Sequence, residues 1–546
     1  MGVDKVHDYV IIGSGAAGSV LAERLSADSR RSVLVVEAGG SDRHPLHRIP
    51  ASYAATSADS RWSTGYPTQP FGSGTVEDWR SGRVVGGTTT VNGLLWNRGW
   101  SDGYEACERA GGPPWAWGRF VEAFRAIEGH DLGTSPVRGG LGPLAVSVAP
   151  HDPASDRLVE AMWRRGIPFV DDVNGSGGDR VGYAARSIRR GVRVSAADAF
   201  LRRAVRRPNV TLLTGTEVRR ITFEGTTATG VEAVASGTVV RLRARREVVT
   251  CAGALTSPLL LERSGVGDPD ILDKAGIGVV AASPRVGENL RQHRVILMPL
   301  RLSGLAGYNV RLNTPLRRLR TTARYLATRR GVPGLGASAL MAMYHSDADS
   351  VDPDTQAFFV PLSVSASLQV ESQPGATFVF YPLNPTSTGY IHVAGPRSED
   401  VPHLVPRYLT SENDRRLMVS AYRRAYEVLG TEPAASTVAA ATPGPAMSDE
   451  DAILAHALDH GLVGNHAVGT CAIGPDQSDV TDPALRVRGT EGLRVVDASV
   501  FPAIPAGNTA APTMAMAWLA ARLLAEGAGP TSSPMPEPLS VGGPRC

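Results

Sequence analysis

The 546-residue chain has only four cysteines and two lysines. Cys107, Cys251, Cys471 and Cys546 lie far apart with no CxxC pair. That spacing excludes a zinc knuckle and a disulfide framework, and it fits a reducing, cytoplasmic setting. No apolar run reaches the 18 or more residues that a membrane span requires, so none is expected. The opening MGVDKVHDYVIIGSGAAG lacks the basic start and small-residue cleavage site of a secretory leader. Lysine is replaced by 54 arginines, yet the formal net charge is only +3. The arginines are interspersed with acids rather than gathered on one stripe, which reads as the coding bias of a GC-rich bacterium and argues against a nucleic-acid surface. No internal repeat and no metal-ligand cluster is apparent.

What is present is the composition of a multidomain globular protein, 42% hydrophobic with 60 Gly and 39 Pro. Tyr9–Ile12 reads as a buried strand and Ser32–Glu37 (SVLVVE) as a second. Between them, Gly13, Ser14, Gly15, Ala16, Ala17 and Gly18 open a helical pattern. The first glycine permits a tight turn, the second lets backbone approach a pyrophosphate at a helix N-terminus, and the third lets helix pack on strand. Glu37, followed by Ala38, closes the second strand where a carboxylate can accept from ribose hydroxyls and repel a 2'-phosphate; NADP is disfavoured, while FAD and NAD remain. The spacing predicts further helices over 115–128, 314–329 and 411–430, a loop-like stretch over 82–99, and an antiparallel element over 208–250 that returns to a central strand. The fold class expected is α/β (α+β): a Rossmann-like domain with a second, sheet-based domain.

Four further segments narrow the reading. They are Gly82–Gly99 (GRVVGGTTTVNGLLWNRG), Gly253–Gly267 (GALTSPLLLERSGVG), Asn465–Cys471 (NHAVGTC) and Asp497–Thr509 (DASVFPAIPAGNT). With the N-terminal fingerprint and Gly287-Glu288-Asn289-Leu290, they resemble the motifs of the glucose-methanol-choline (GMC) oxidoreductases in family order, over about residues 7–525. The resemblance implies an FAD-binding domain formed by 7–293 and 456–525, to which 146–190 need not wholly belong. It also implies a substrate-binding domain over 294–455; residues 526–546, rich in Pro, Gly and Ser, are expected to be an unstructured tail.

Physical reading adds to this. Gly86 and Gly87 would let backbone pass close to a flat ring, and Asn92 would bond the flavin edge. Asp497 and Ala498, followed by a turn that carries Asn508 and Thr509 and a helix starting near Pro512, would aim N–H groups at the pyrimidine end of the ring. The resemblance places Arg83, Thr88, Gly93, Leu94, Cys251, Ala252 and Gly253 beside the cofactor, and the backbone of Val218 at the adenine. Some relatives tether FAD through a histidine one residue before the signature Asn; Val91 stands there, so non-covalent FAD is expected. Asn465, where relatives often carry an aromatic residue, makes one pocket wall more polar.

Alcohol oxidation sends a hydroxyl proton and a hydride to different acceptors. The resemblance implies hydride transfer to flavin N5, with His466 as the base and Asn508 assisting at the alkoxide oxygen. His293 reads as structural or as part of a loop near the cofactor. The expected partners are a small-molecule alcohol and an electron acceptor: oxygen, a quinone or another carrier. Two rivals are a GMC-type lyase that keeps FAD without redox turnover and a non-enzymatic flavin protein; intact His466 and Asn508 speak against the second.

Overall fold

A computed structural model describes residues 6–364, 370–442, 444, 447–505 and 507–526. The predicted tail lies outside the described residues apart from Glu526, which ends a helix. The architecture is the expected mixed α/β one, organised on two seven-stranded sheets.

The first sheet is built on His7–Ile12, whose six residues are all buried. Val33–Val36 runs parallel on one side of it and the end of Thr238–Thr250 on the other. Strands this apolar survive only with both faces covered, as parallel strands usually are. Helix Ala16–Leu25 packs on this sheet against the C-terminal helix Ala510–Glu526, and thirteen of that helix's seventeen residues are buried. Val210–Leu213 pairs parallel to Val33–Val36, and Leu493–Val495 parallel to Val248–Thr250. The 13-residue strand Thr238–Thr250 serves two partners. Its exposed first half pairs antiparallel with Gly230–Ala235, and its buried end joins the parallel core.

The second sheet is antiparallel, in the spatial order Val438–Ala441, Arg294–Leu302, Gly375–Pro382, Thr355–Val360, Leu340–Tyr344, Arg180–Tyr183. Helices Pro153–Arg164, Glu412–Leu429 and Glu450–His460 contribute to the same apolar core, in which Phe378, Phe380 and Tyr422 are buried. A strand and a helix from 146–190 thus belong to this layer, and Leu462–Val463 also pairs with Arg294–Val295.

Helix expectations match closely: Trp117–Ile127, Pro315–Thr328 and Glu412–Leu429. The predicted loop 82–99 holds a single helical turn, Thr88–Val91. Four residues are too few to carry a readable period. Among the described residues, no helix is long and apolar enough to cross a membrane.

Candidate active site

The glycine fingerprint connects the first strand to the first helix, and its tightness is visible in what a Cβ would meet. At Gly18 it would lie 2.0 Å from the Gly13 carbonyl oxygen, so only glycine lets the helix sit this close to the strand. At Gly87 (φ +54°) it would lie 2.8 Å from the Gly15 Cα. The fingerprint and the Gly86-Gly87 turn therefore face one another, and the Gly86 N–H donates to Ser14 Oγ (3.2 Å). Gly15, the N-cap of helix Ala16–Leu25, caps it with no side chain. Its first N–H groups, including those at Ala16 and Ala17, are thus of the kind that bind a pyrophosphate.

Glu37 is buried directly after its strand. One carboxylate oxygen accepts from the Ser14 N–H (2.9 Å) and hydroxyl (2.6 Å), and the other from the Gly39 N–H (2.8 Å). Burial pushes its carboxyl above the usual range, and these donors oppose that shift. Glu37 thus shapes the turn. Ala38 separates it from Gly39. Val218 pairs with Ala233 just before a register shift at Arg220, and such irregularities leave backbone groups outside the ladder. Arg83 is turned toward this strand, ion-paired to Glu217 at 3.0 Å.

In the signature loop, Asn92 Oδ1 accepts from the Leu94 N–H (3.1 Å) and from Arg193 (3.1 Å). Leu94 is buried with φ +71°. Thr88 Oγ1 accepts from the Gly82 N–H, and Gly93 lies against Ala337. Arg193 was not foreseen from sequence. It is 2% exposed, burial pushes its guanidinium down to about 9, and among the described residues its Nε and Nη2 have no hydrogen-bond partner. A buried cation with orphaned donors beside this loop is costly without an electron-rich neighbour. FAD has the oxygens and ring nitrogens to be that neighbour, so the residues present fit the group.

Asp497 ties the last strand to the second signature. One oxygen accepts from the Gly253 N–H (2.8 Å) and the Ser257 hydroxyl (2.5 Å), and the other from Ser499. This fixes the turn Ala498–Val500 and the Cys251-Ala252-Gly253 segment against each other. Burial pushes the Cys251 and Cys471 thiols well up, so neither offers a thiolate at neutral pH. Thr509 precedes the closing helix, its carbonyl accepting from Thr513.

His466 and Asn508 are brought together: Asn508 Nδ2 lies 2.8 Å from His466 Nε2. On its other side, His466 Nδ1 lies 2.8 Å from His293 Nδ1, and His293 Nε2 lies 2.7 Å from the Leu383 carbonyl. The carbonyl can only accept, so His293 Nε2 carries hydrogen. Burial pushes His293 down to about 4 and His466 well below its ordinary value, so both rings are neutral at pH 7. His293 Nδ1 is then an acceptor without hydrogen, His466 Nδ1–H donates to it, and His466 Nε2 is left as an acceptor without hydrogen. Among the described residues the only donor on Nε2 is the Asn508 amide, whose Oδ1 faces Gln356 Nε2 (3.4 Å); Gln356 Oε1 accepts from Tyr381 (2.7 Å).

The structure adds to the sequence reading of His293 that it is bonded to the candidate base. Gln292 Oε1 accepts from the His466 N–H (2.7 Å), Tyr381 stacks on His293 at 4.4 Å between centroids, and Gln356 reaches in from the second sheet. Only the run GENLRQH could have signalled the first two; Gln356 and Tyr381 sit in strands without a motif. Asn465 is exposed at φ +57°.

Two family models, both described as GMC oxidoreductase, match residues 7–295 and 385–517. Human mitochondrial choline dehydrogenase is 34% identical over 95% of this chain and 89% of its own length. An alcohol dehydrogenase [acceptor] of Pseudomonas putida is 32% identical over 95% and 96%. Among solved structures, pyridoxine 4-oxidase from Mesorbium loti superposes with a TM-score of 0.84 at 30% identity, covering 94% of this chain and 98% of that one. The chain belongs to the GMC oxidoreductase family, whose members use FAD to act on CH–OH donors.

Proposed function

We propose that this protein oxidises an alcohol to an aldehyde or ketone with non-covalently held FAD, His466 taking the hydroxyl proton and Asn508 holding the oxygen. The observation that carries this reading is the hydrogen-free Nε2 of a buried, neutral His466, which accepts from the Asn508 amide at 2.8 Å. Bound FAD would supply the hydride acceptor. The chain's own part is proton management. An alcohol hydroxyl entering between the two side chains donates to His466 Nε2, and the Asn508 N–H turns to the oxygen as negative charge develops there. The proton stays on Nε2, while Nδ1–H remains committed to His293. Choline, other alcohols and pyridoxine, named for the relatives, support a CH–OH substrate without selecting one.

The test is anaerobic mixing of the FAD-loaded protein with a panel of alcohols that includes choline and pyridoxine. Bleaching of the flavin by at least one alcohol is expected, and reoxidation by oxygen against a quinone or dye then separates oxidase from dehydrogenase. A flavin that dithionite reduces but no alcohol does would overturn the proposal in favour of the lyase reading.

Two expected outcomes concern the cofactor. Acid precipitation should leave a yellow supernatant containing FAD, because Val91 offers no tethering atom; a yellow pellet would show a covalent bond. Glu37→Ala removes an acceptor from the Ser14 and Gly39 N–H groups as well as one for the ribose. Losing a charge-assisted bond of about 1.5–3 kcal/mol should weaken FAD by roughly one to two decades. FAD retention on dilution checks this, and unchanged retention in a folded variant would remove the ribose role.

A further inference from the structure

Between Glu288 and Asp347 the sequence has no acidic residue over positions 289–346, while it has ten arginines there. This is a departure from the even mixing of charge noted above. The middle of the segment is helix Pro315–Thr328, fourteen residues and about 21 Å long. Its amphipathicity is inverted. Leu316, Leu319 and Leu326, with Ala323 between them, fall on one face at three- and four-residue spacing. They are 65%, 66% and 57% exposed. The residue that faces the protein is Tyr325, buried and donating to the Gly191 carbonyl at 2.9 Å. On a wheel of 100° per residue it lies roughly 140° from the centre of the leucine stripe.

The stripe is flanked by Arg317, Arg320 and Arg324 on one side and Arg318 on the other, and Arg329 and Arg330 follow. Among the described residues none of these six is within ion-pair distance of a carboxylate; Arg317 and Arg318 bond only chain carbonyls and Asn313, and Arg329 lies over the Tyr325 ring. A surface of projecting leucines inside a ring of unpaired guanidiniums matches one environment, the headgroup boundary of an anionic bilayer, where leucines enter the acyl edge and arginines meet phosphates. A second copy fits poorly, because an isologous contact would set like charges against each other with no acid to meet them. A nucleic acid would satisfy the arginines and leave the leucines in water.

We infer that helix Pro315–Thr328 is a docking surface for anionic lipid, holding the enzyme on a membrane face without spanning it. The experiment is flotation of the FAD-loaded protein with phosphatidylcholine vesicles that contain about one-third phosphatidylglycerol, against pure phosphatidylcholine and against about 0.5 M salt. The wild type should float with anionic vesicles at low salt and lose most of that binding in the two controls. Arg320→Gln with Arg324→Gln should weaken partitioning by roughly fivefold per charge, on the order of 25-fold together. Leu316→Ser, Leu319→Ser and Leu326→Ser combined should abolish it. Flavin content and turnover of a water-soluble alcohol should stay unchanged in both variants, which shows that they are folded.

A wild type that stays with neither vesicle, or a leucine variant that floats as well as the wild type, overturns the inference. So does a wild-type dimer that the leucine variant turns into a monomer without any vesicle binding, or binding of a short DNA duplex where vesicles fail.

Discussion

His466→Ala is expected to keep its FAD and to be reduced by alcohol about 10² to 10⁴ times more slowly than the wild type, the usual worth of a positioned base. The cofactor should stay because the groups proposed to hold it are elsewhere: the fingerprint at 13–18, the turn at Gly86-Gly87 and the Asp497 clamp. The rate should fall because Nε2, which among the described residues accepts only from the Asn508 amide, is the acceptor at the pair that a substrate hydroxyl would use. The pH dependence follows from the direction of the shift. Burial, with the neighbouring His293, lowers the pKa of His466 well below its ordinary value. The ring is then already neutral at pH 7, and the wild-type rate should be flat through neutrality and decline only on the acid side of pH 6.5, the ordinary histidine value. That acid limb should be missing in His466→Ala. Asn508→Ala should slow reduction by a smaller factor, since a donor to the developing alkoxide is lost while the base remains. Anaerobic stopped-flow measurement across pH is the check, and a His466→Ala protein that reduces at the wild-type rate would sink the assignment.

The parts of this site that were legible in the sequence are those where backbone geometry restricts the residue type. Gly18 must be glycine because a Cβ would collide with the Gly13 carbonyl, and such positions leave a spaced pattern that can be read without a structure. The pair His466 and Asn508 was legible only because each lies in a short motif. The supporting network was not. Gln356 and Tyr381 reach the pair from adjacent antiparallel strands, and which strands neighbour one another is settled by non-local pairing that leaves no local trace. Arg193 was hidden for a different reason: among 54 arginines, one that is buried with unmet donors beside the signature loop looks like any other. The same abundance concealed the inverted helix, whose period was readable but whose outward direction depends on where Tyr325 docks.

His293→Ala tests the imidazole bonded to the candidate base and should slow alcohol reduction by roughly 10- to 100-fold, the scale known for removing a partner that orients a metal-bound imidazole. Among the described residues the His293 ring hydrogen-bonds His466 and the Leu383 carbonyl and not Asn508, so the role proposed for it is that of a positioning residue acting through His466. Its bare Nδ1 is what commits the His466 hydrogen to Nδ1. Without that acceptor His466 is free to carry its hydrogen on Nε2, where it faces the Asn508 donor and cannot take a proton from substrate. A merely structural loss would lower the amount of folded, FAD-loaded protein and leave the rate per flavin alone. The positioning role predicts the reverse, with normal flavin content and a lower rate per flavin. It also predicts a moved pH profile. His293 is one of the two causes that hold the His466 pKa down, and the space it vacates admits water, so both changes raise that pKa toward its ordinary value. The acid limb should therefore move to higher pH in His293→Ala. His293→Asn, which can present an amide oxygen to Nδ1–H, should recover part of the rate. An unchanged rate per flavin with an unmoved limb would show that the contact between the two imidazoles is packing and nothing more.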